Sequence, residues 1–180
     1  AAESLLVTVI LAQIGCKDVV GADGVMHSVP DRSGGEEIEE LTLDVSALGH
    51  SACYGMRKGE LLTADGGKLT IPMQAGDGYA IALLPYVVKG LTATQKVADR
   101  ALTVEWSLAG SNGRLTTHVA RVEVADAATG NVLRHFCANV VTSPDGKGSV
   151  SFPLALEEAG RTFKAEVRDV LSGLKVTAGQ

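Results

Sequence analysis

Five carboxylates in the second half of the chain, Glu105, Glu123, Asp126, Glu166 and Asp169, are the residues from which a glycosidase-style acid/base pair could be drawn. Such a pair must flank a sugar cleft at a defined separation. Each falls on the polar face of a strand pattern or at its end, and the connections between patterns run mostly to about two to six residues, too short to enclose a substrate. The acidic run Glu36, Glu37, Glu39 and Glu40 follows Ser-Gly-Gly and reads as a solvated loop or strand edge. No catalytic residue is assigned.

The other chemistries fare no better. The histidines His27, His50, His118 and His135 do not pair at spacings that build a metal site. His118 is in phase with Ala120, Val122 and Val124, and His135 with Cys137 and Asn139, so the two could approach each other if their strands are neighbours; a satisfied histidine at a sheet end is the preferred reading. Cys16, Cys53 and Cys137 are far apart and carry no CxxC or Cys/His pattern. One disulfide is open to them, and buried free thiols are favoured. No GxSxG elbow, P-loop or GxGxxG after a strand occurs. "ADG", "GDG" and "PDG" each hold one Asp beside Gly, which is hairpin rather than calcium-loop chemistry. No cofactor or metal is expected.

Aromatics are 4% of the chain, which weakens a sugar-stacking reading. Trp106 shares a face with Leu102, Val104 and Leu108 and points into a core. Tyr54, Tyr79 and Tyr86 remain as surface candidates, with Tyr54 and Tyr86 the ligand contacts a carbohydrate-binding module would use.

These residues must be held by short strands. Apolar residues make up 46% and charged residues 21% of 180, the balance of a folded globular chain, and a formal charge of −5 offers no footprint for nucleic acid. Leu5, Leu6, Val9, Ile10 and Ile14 fit a helical stripe over residues 2 to 14, stopped by Gly15, although Val7, Thr8, Val9 and Ile10 are also strand formers. The run from Leu5 to Ile14 is too short to span a membrane as a helix. No basic residue precedes it and Gln13 departs from a lipoprotein cleavage pattern, so a targeting role is disfavoured. Residues 17 to 40 read as linker and turns.

From there the period becomes two. Leu41, Leu43 and Val45, then "SACYGM", "GELLTA", "KLTIPM" and "YAIALL", predict a small antiparallel sandwich ending near residue 86. "LTATQKV", "ALTVEWSLA", "LTTHVARVEVAD", "VLRHFCANVV", "GSVSFPLAL", "RTFKAEVRDV" and "LKVTAG" predict a second sandwich of about seven strands, immunoglobulin-like in its spacing. The expected fold is mainly β: an N-terminal helix and linker over 1–37, a small sandwich over 38–86 and the immunoglobulin-like sandwich over 87–180. "GDGYAIALLPYVVKGL" lies at the junction, with a strand apolar on both faces and Pro85 and Tyr86 at the predicted joint.

"ALLPYVVKGL", "HVARVEVADAATGNVLRHFCANVV" and "GSVSFPLALEEAGRTFKAEVRDVLSGL" together resemble the C-terminal β-sandwich region of large bacterial β-galactosidase-like glycoside hydrolases, over about residues 40 to 180. The resemblance implies an accessory, non-catalytic portion of a longer hydrolase whose paired glutamates lie in a separate barrel. A start at Ala1 rather than Met is in keeping with a processed product or fragment. The resemblance further implies that the first helix ends an α/β domain, with Leu5, Val9 and Ile10 facing that neighbour. The partners expected are neighbouring domains or another protein chain, and carbohydrate under the rival reading of a carbohydrate-binding module. A cell-surface or adhesion-type interaction module is the other rival, and an extracytoplasmic or cell-surface location is slightly favoured.

Overall fold

The computed structural model describes residues 5–10, 15–22, 24–31, 39–46, 52–73, 78–113, 115–158 and 160–179. Its strands are β1 (Leu5–Ile10), β2 (Gly15–Val20), β3 (Met26–Asp31), β4 (Glu39–Asp44), β5 (Ala52–Gly55), β6 (Glu60–Leu62), β7 (Lys68–Met73) and β8 (Gly78–Leu84) in the first part of the chain. β9 (Val88–Ala98), β10 (Ala101–Gly110), β11 (Val119–Asp126), β12 (Ala138–Val141), β13 (Lys147–Pro153), β14 (Phe163–Asp169) and β15 (Lys175–Thr177) follow. Every strand pairing within the sheets is antiparallel.

The expected N-terminal helix is not formed. β1 pairs along its whole length with β8, from Leu5 opposite Leu83 to Ile10 opposite Gly78. A continuous apolar run is ambiguous between helix and buried strand, and the β-branched Val7, Thr8, Val9 and Ile10 suit the pleated state once a partner strand is available. The expected linker is likewise corrected, because β2 and β3 form a hairpin in register from Gly15–Asp31 to Val20–Met26. Glu36, Glu37 and His50 lie outside the described residues.

β1, β8, β5 and β6 form one sheet in that order, and β4 and β7 another. Leu41 and Leu43 of β4, Leu69 and Ile71 of β7, and Cys53, Ile81 and Leu83 of the larger sheet pack into one cluster, so the two sheets share a core. In the second part, β13-β10-β9 and β12-β11-β14-β15 are layered on a larger core. That core takes Leu102, Val104 and Trp106 from β10, Val122 and Val124 from β11, and Phe163, Ala165 and Val167 from β14. All seven strands expected here are present. "LTTHVARVEVAD" becomes extended ladder only at Val119, and "VLRHFCANVV" is broken by a 3₁₀ turn, Arg134–Phe136, that inserts Phe136 into the core.

β8 explains why its stretch is apolar on both faces. Ile81 and Leu83 enter the first core, while the alternate residues Ala82 and Leu84 enter a third cluster with Ala52, Tyr54, Tyr86, Val88 and Leu108. This third cluster draws on strands from both parts of the chain, and so it joins them. β9 and β10 are linked by the two-residue turn Asp99-Arg100, both at positive φ, 50° and 58°. That is the geometry of the hairpin turn whose twist matches its strands, here reached without glycine.

Candidate functional site

The joint is where the molecule collects buried polar side chains. Tyr86 follows Pro85 directly after β8 and is 1% exposed, with its ring in the third cluster. Its hydroxyl accepts the Thr116 backbone N–H at 2.8 Å and lies 2.7 Å from Thr116 Oγ1 and 2.9 Å from His118 Nε2. His118 is in turn held through Nδ1, 2.9 Å from Asp169 Oδ1. The other carboxylate oxygen accepts the Ser172 N–H at 2.9 Å and the Ser172 hydroxyl at 2.5 Å. Thr142 Oγ1 accepts the His118 N–H, so backbone and ring of the histidine are both tied down.

Proton placement follows from the donors. An ionised Asp169 only accepts, so His118 Nδ1 carries the hydrogen between them. In the neutral ring, Nε2 accepts the Tyr86 proton while the Tyr86 oxygen takes the Thr116 N–H. In the charged ring, Nε2 donates to Tyr86, whose proton passes its bond to Thr116 Oγ1. Every member stays satisfied in either state, which is what allows a polar network inside an apolar cluster. Burial pushes the Asp169 carboxyl up, but the hydrogen bond and charge of His118 and the two bonds from Ser172 outweigh it and hold the group below its ordinary value of 3.8.

Hydroxyl, imidazole and carboxylate in this order also describe a base-activated nucleophile. Burial decides between the two roles: side-chain exposure is 0% for His118 and 2% for Asp169, and the tyrosine is equally covered, so no substrate atom can reach the hydroxyl. The triad ties together the β8–β9 connection, the residue before β11 and the end of β14.

The remaining predicted residues are dispersed. Tyr54 is 2% exposed in the third cluster, and its hydroxyl accepts the Val88 N–H at 2.8 Å. With their rings covered, Tyr54 and Tyr86 present no open face to a sugar. Tyr79 is half-buried, donating to Glu60 Oε1 at 3.2 Å. His118 and His135 do not form a pair: His135 Nε2 sits 3.0 Å from Glu158 Oε1. Leu5, Val9 and Ile10 lie on β1, the first strand of its sheet among the described residues. Trp106 is buried as expected and its indole lies across Gly148, while its Nε1 has no hydrogen-bond partner among the described residues. Cys53 is a buried free thiol pushed up by burial, and Cys137 is a half-buried free thiol.

Of the five carboxylates, Asp169 is the last residue of β14, at a strand end, and it lies on the buried face of that strand with Phe163, Ala165 and Val167. Asp126 accepts the N–H groups of Ala128 and Thr129 and shapes a turn. Glu123 and Glu166 stand directly opposite each other across β11 and β14, each beside a cation: Arg121 Nη2 at 3.2 Å and Lys175 Nζ at 3.7 Å respectively. Asp169, Ser172 and Thr116 were not legible as a site. The one signal was a pair of polar residues, His118 and Asp169, each in phase with an apolar strand face.

Among the described residues no group of His, Cys, Asp and Glu could hold a metal ion, and no helix is long and apolar enough to cross a membrane.

No family model matches the chain, and no curated protein matches it. Among solved structures it is similar to part of several glycoside hydrolase chains. One is the β-glucuronidase of Ruminococcus gnavus, at 9% identity over 98% of this chain and 44% of that one, with a TM-score of 0.30. The same enzyme in complex with uronic isofagomine gives 12% identity over 96% and 44%, with a TM-score of 0.31. The β-D-glucuronidase of Dictyoglomus thermophilum gives 10% over 96% and 44%, with a TM-score of 0.30. The chain thus spans less than half the length of these structures. Superposition this loose gives no correspondence between individual residues, and no activity passes through it.

Proposed function

We propose that this chain is a non-catalytic β-sandwich region of a carbohydrate-active hydrolase, two sandwiches locked in one orientation that pack on and orient neighbouring domains. The observation that carries the reading is the covered Tyr86–His118–Asp169 network at the joint: chemistry-bearing side chains are spent on fixing one part of the chain against the other. A joint of this kind resists hinge motion, because reorientation would strand a buried carboxylate and imidazole without partners. The domain limits near residues 38–86 and 87–180, and the immunoglobulin-like character of the second, belong to this proposal. Pro85 and Tyr86 are its internal joint.

The outward contact is assigned to β1. It has β8 on one side and no described strand on the other, so the backbone edge of the segment that holds Leu5, Val9 and Ile10 is the part proposed to meet a neighbouring domain. The hydrolase assignment rests on the resemblance of the junction and second-sandwich segments. Two measurements test the whole reading. The reading frame that encodes this chain should also encode a barrel with paired glutamates, and the chain expressed alone should turn over none of a panel of nitrophenyl glycosides. Turnover by the chain itself, abolished by Glu123→Gln, overturns it.

A further inference from the structure

Away from the joint, the outer face of the sheet β12-β11-β14-β15 carries an arrangement that folding alone does not favour. Arg121 is paired in register with Arg168, and Arg168 with Lys175, so three cations stand in one row across three strands. Strands lie about 4.8 Å apart, which confines the row to roughly 10 Å. Like charges placed directly opposite destabilise a sheet. The adjacent row holds Glu123 and Glu166, and each neutralises one cation, Arg121 and Lys175 respectively. Arg168, in the middle of the row, has no ion-pair partner among the described residues.

A second element closes the row into a recess. The turn after β5 lies against the turn after β14, with Gly59 and Gly173 back to back at φ 65° and 72°. A Cβ on Gly59 would come within 2.7 Å of Gly173 Cα, so the approach requires glycine on steric grounds as well as conformational ones. The contact sets Lys58 at the mouth of a recess of about 490 Å³ lined also by Arg121, Arg168, Lys175 and the two glutamates. Four cations against two carboxylates make this recess positive in a chain whose formal charge is −5.

We propose that this recess binds an oxyanion group, the phosphate or sulfate of an esterified ligand, with Arg168 as its central contact and Lys58, Arg121 and Lys175 around it. Guanidinium forks match tetrahedral oxyanions geometrically, and the anion would relieve the repulsion among the cations of the row. The site is independent of the joint.

The test uses the full chain, with inorganic phosphate and inorganic sulfate as probes and potassium chloride at matched ionic strength as the reference. Backbone amide shifts and the thermal midpoint are followed. Both probes should produce saturable shifts around Lys58, Arg121, Arg168 and Lys175 and raise the midpoint above chloride. Arg168→Gln should weaken saturation about tenfold, the worth of one charge-assisted hydrogen bond, and in chloride alone should melt no lower than the parent. Shifts that merely track ionic strength, or unchanged saturation in Arg168→Gln, overturn the site. So does a lower midpoint of Arg168→Gln in chloride, because the row would then be part of what holds the fold together. Tighter saturation by phosphate than by sulfate assigns a phosphate ester, and the reverse order a sulfate ester.

Discussion

Two cores of this molecule are built on opposite principles. The core between β13-β10-β9 and β12-β11-β14-β15 is apolar, and Trp106 Nε1 is buried there with no hydrogen-bond partner among the described residues. The core at the joint is smaller and is threaded by Tyr54, Tyr86, His118 and Asp169, each of which is hydrogen-bonded to at least one residue distant in the chain. Dispersion and burial are tolerant of small shifts, whereas a buried hydrogen-bonded charge accepts only one arrangement. The large core therefore supplies cohesion, and the network around Tyr86 supplies a defined geometry. Trp106, the only tryptophan, reports on the first, and the tyrosines 54 and 86 report on the second.

The sharpest way to break this contrast is His118→Ala. It leaves Asp169 buried without its main partner, and the expected loss is about 3–5 kcal/mol of unfolding free energy in denaturant titration. The tyrosine signal should change at lower denaturant than the Trp106 signal; coincident transitions with no loss would mean that the joint carries no such weight.

Acid should act on the same place. Because the folded Asp169 carboxyl is held below 3.8, the unfolded state binds more protons as pH falls, and the stabilisation is complete above the unfolded value and lost as pH drops through the folded one. Unfolding midpoints should decline from about pH 5 downward. In Asp169→Asn the slope should flatten, and an unchanged slope would place the acid sensitivity elsewhere. The carboxyls of Asp126 and Asp145, held down chiefly by hydrogen bonds from Thr129 and Ser143 respectively, push in the same direction, as do those of Asp44 and Glu158.

Tyr86→Phe keeps the ring and deletes the hydroxyl that bridges Thr116 and His118. About 1–3 kcal/mol should be lost, with the Trp106 emission of the native state unaltered. On the other side of the comparison, Gly148→Ala places a Cβ against the Trp106 indole, 2.7 Å from Nε1. Overpacking of this kind should cost about 1–3 kcal/mol and shift the native tryptophan emission while leaving the acid slope in place. The smallest effect is a gain: Arg100→Gly relieves a side chain held at φ 58° in the β9–β10 turn and should raise stability by up to about 1 kcal/mol.

Legibility followed the same division. β9 to β15 could be read because Leu102, Val104, Trp106 and Leu108, or Ala120, Val122 and Val124, repeat every second residue between turns rich in Gly, Asp and Asn. The first strand could not, because the apolar run from Leu5 to Ile10 has no polar face to reveal its period, and the partner that makes it a strand, β8, lies about seventy residues away. The hairpin of β2 and β3 was hidden for a related reason. Its Gly- and Asp-containing turn was visible, but Lys17, Asp18, His27 and Ser28 dilute any apolar alternation in its strands. Of the joint, Tyr86 was placed at the junction from Pro85 and the two-faced apolar pattern of the preceding strand. Its partners were not, since Thr116, His118, Asp169 and Ser172 come from separate elements.

By itself the sequence determined the mainly β character, the turn positions and the inward face of Trp106. These depend on local periodicity and turn chemistry, which neighbouring residues encode. Only the tertiary structure decided that residues 5–10 form a strand, that Tyr86 meets a histidine held by an aspartate, and that Arg121, Arg168 and Lys175 stand in one row. Each of these is a matter of strand register or of contact between distant segments, and register is fixed by the packing of whole faces rather than by any residue's own preference.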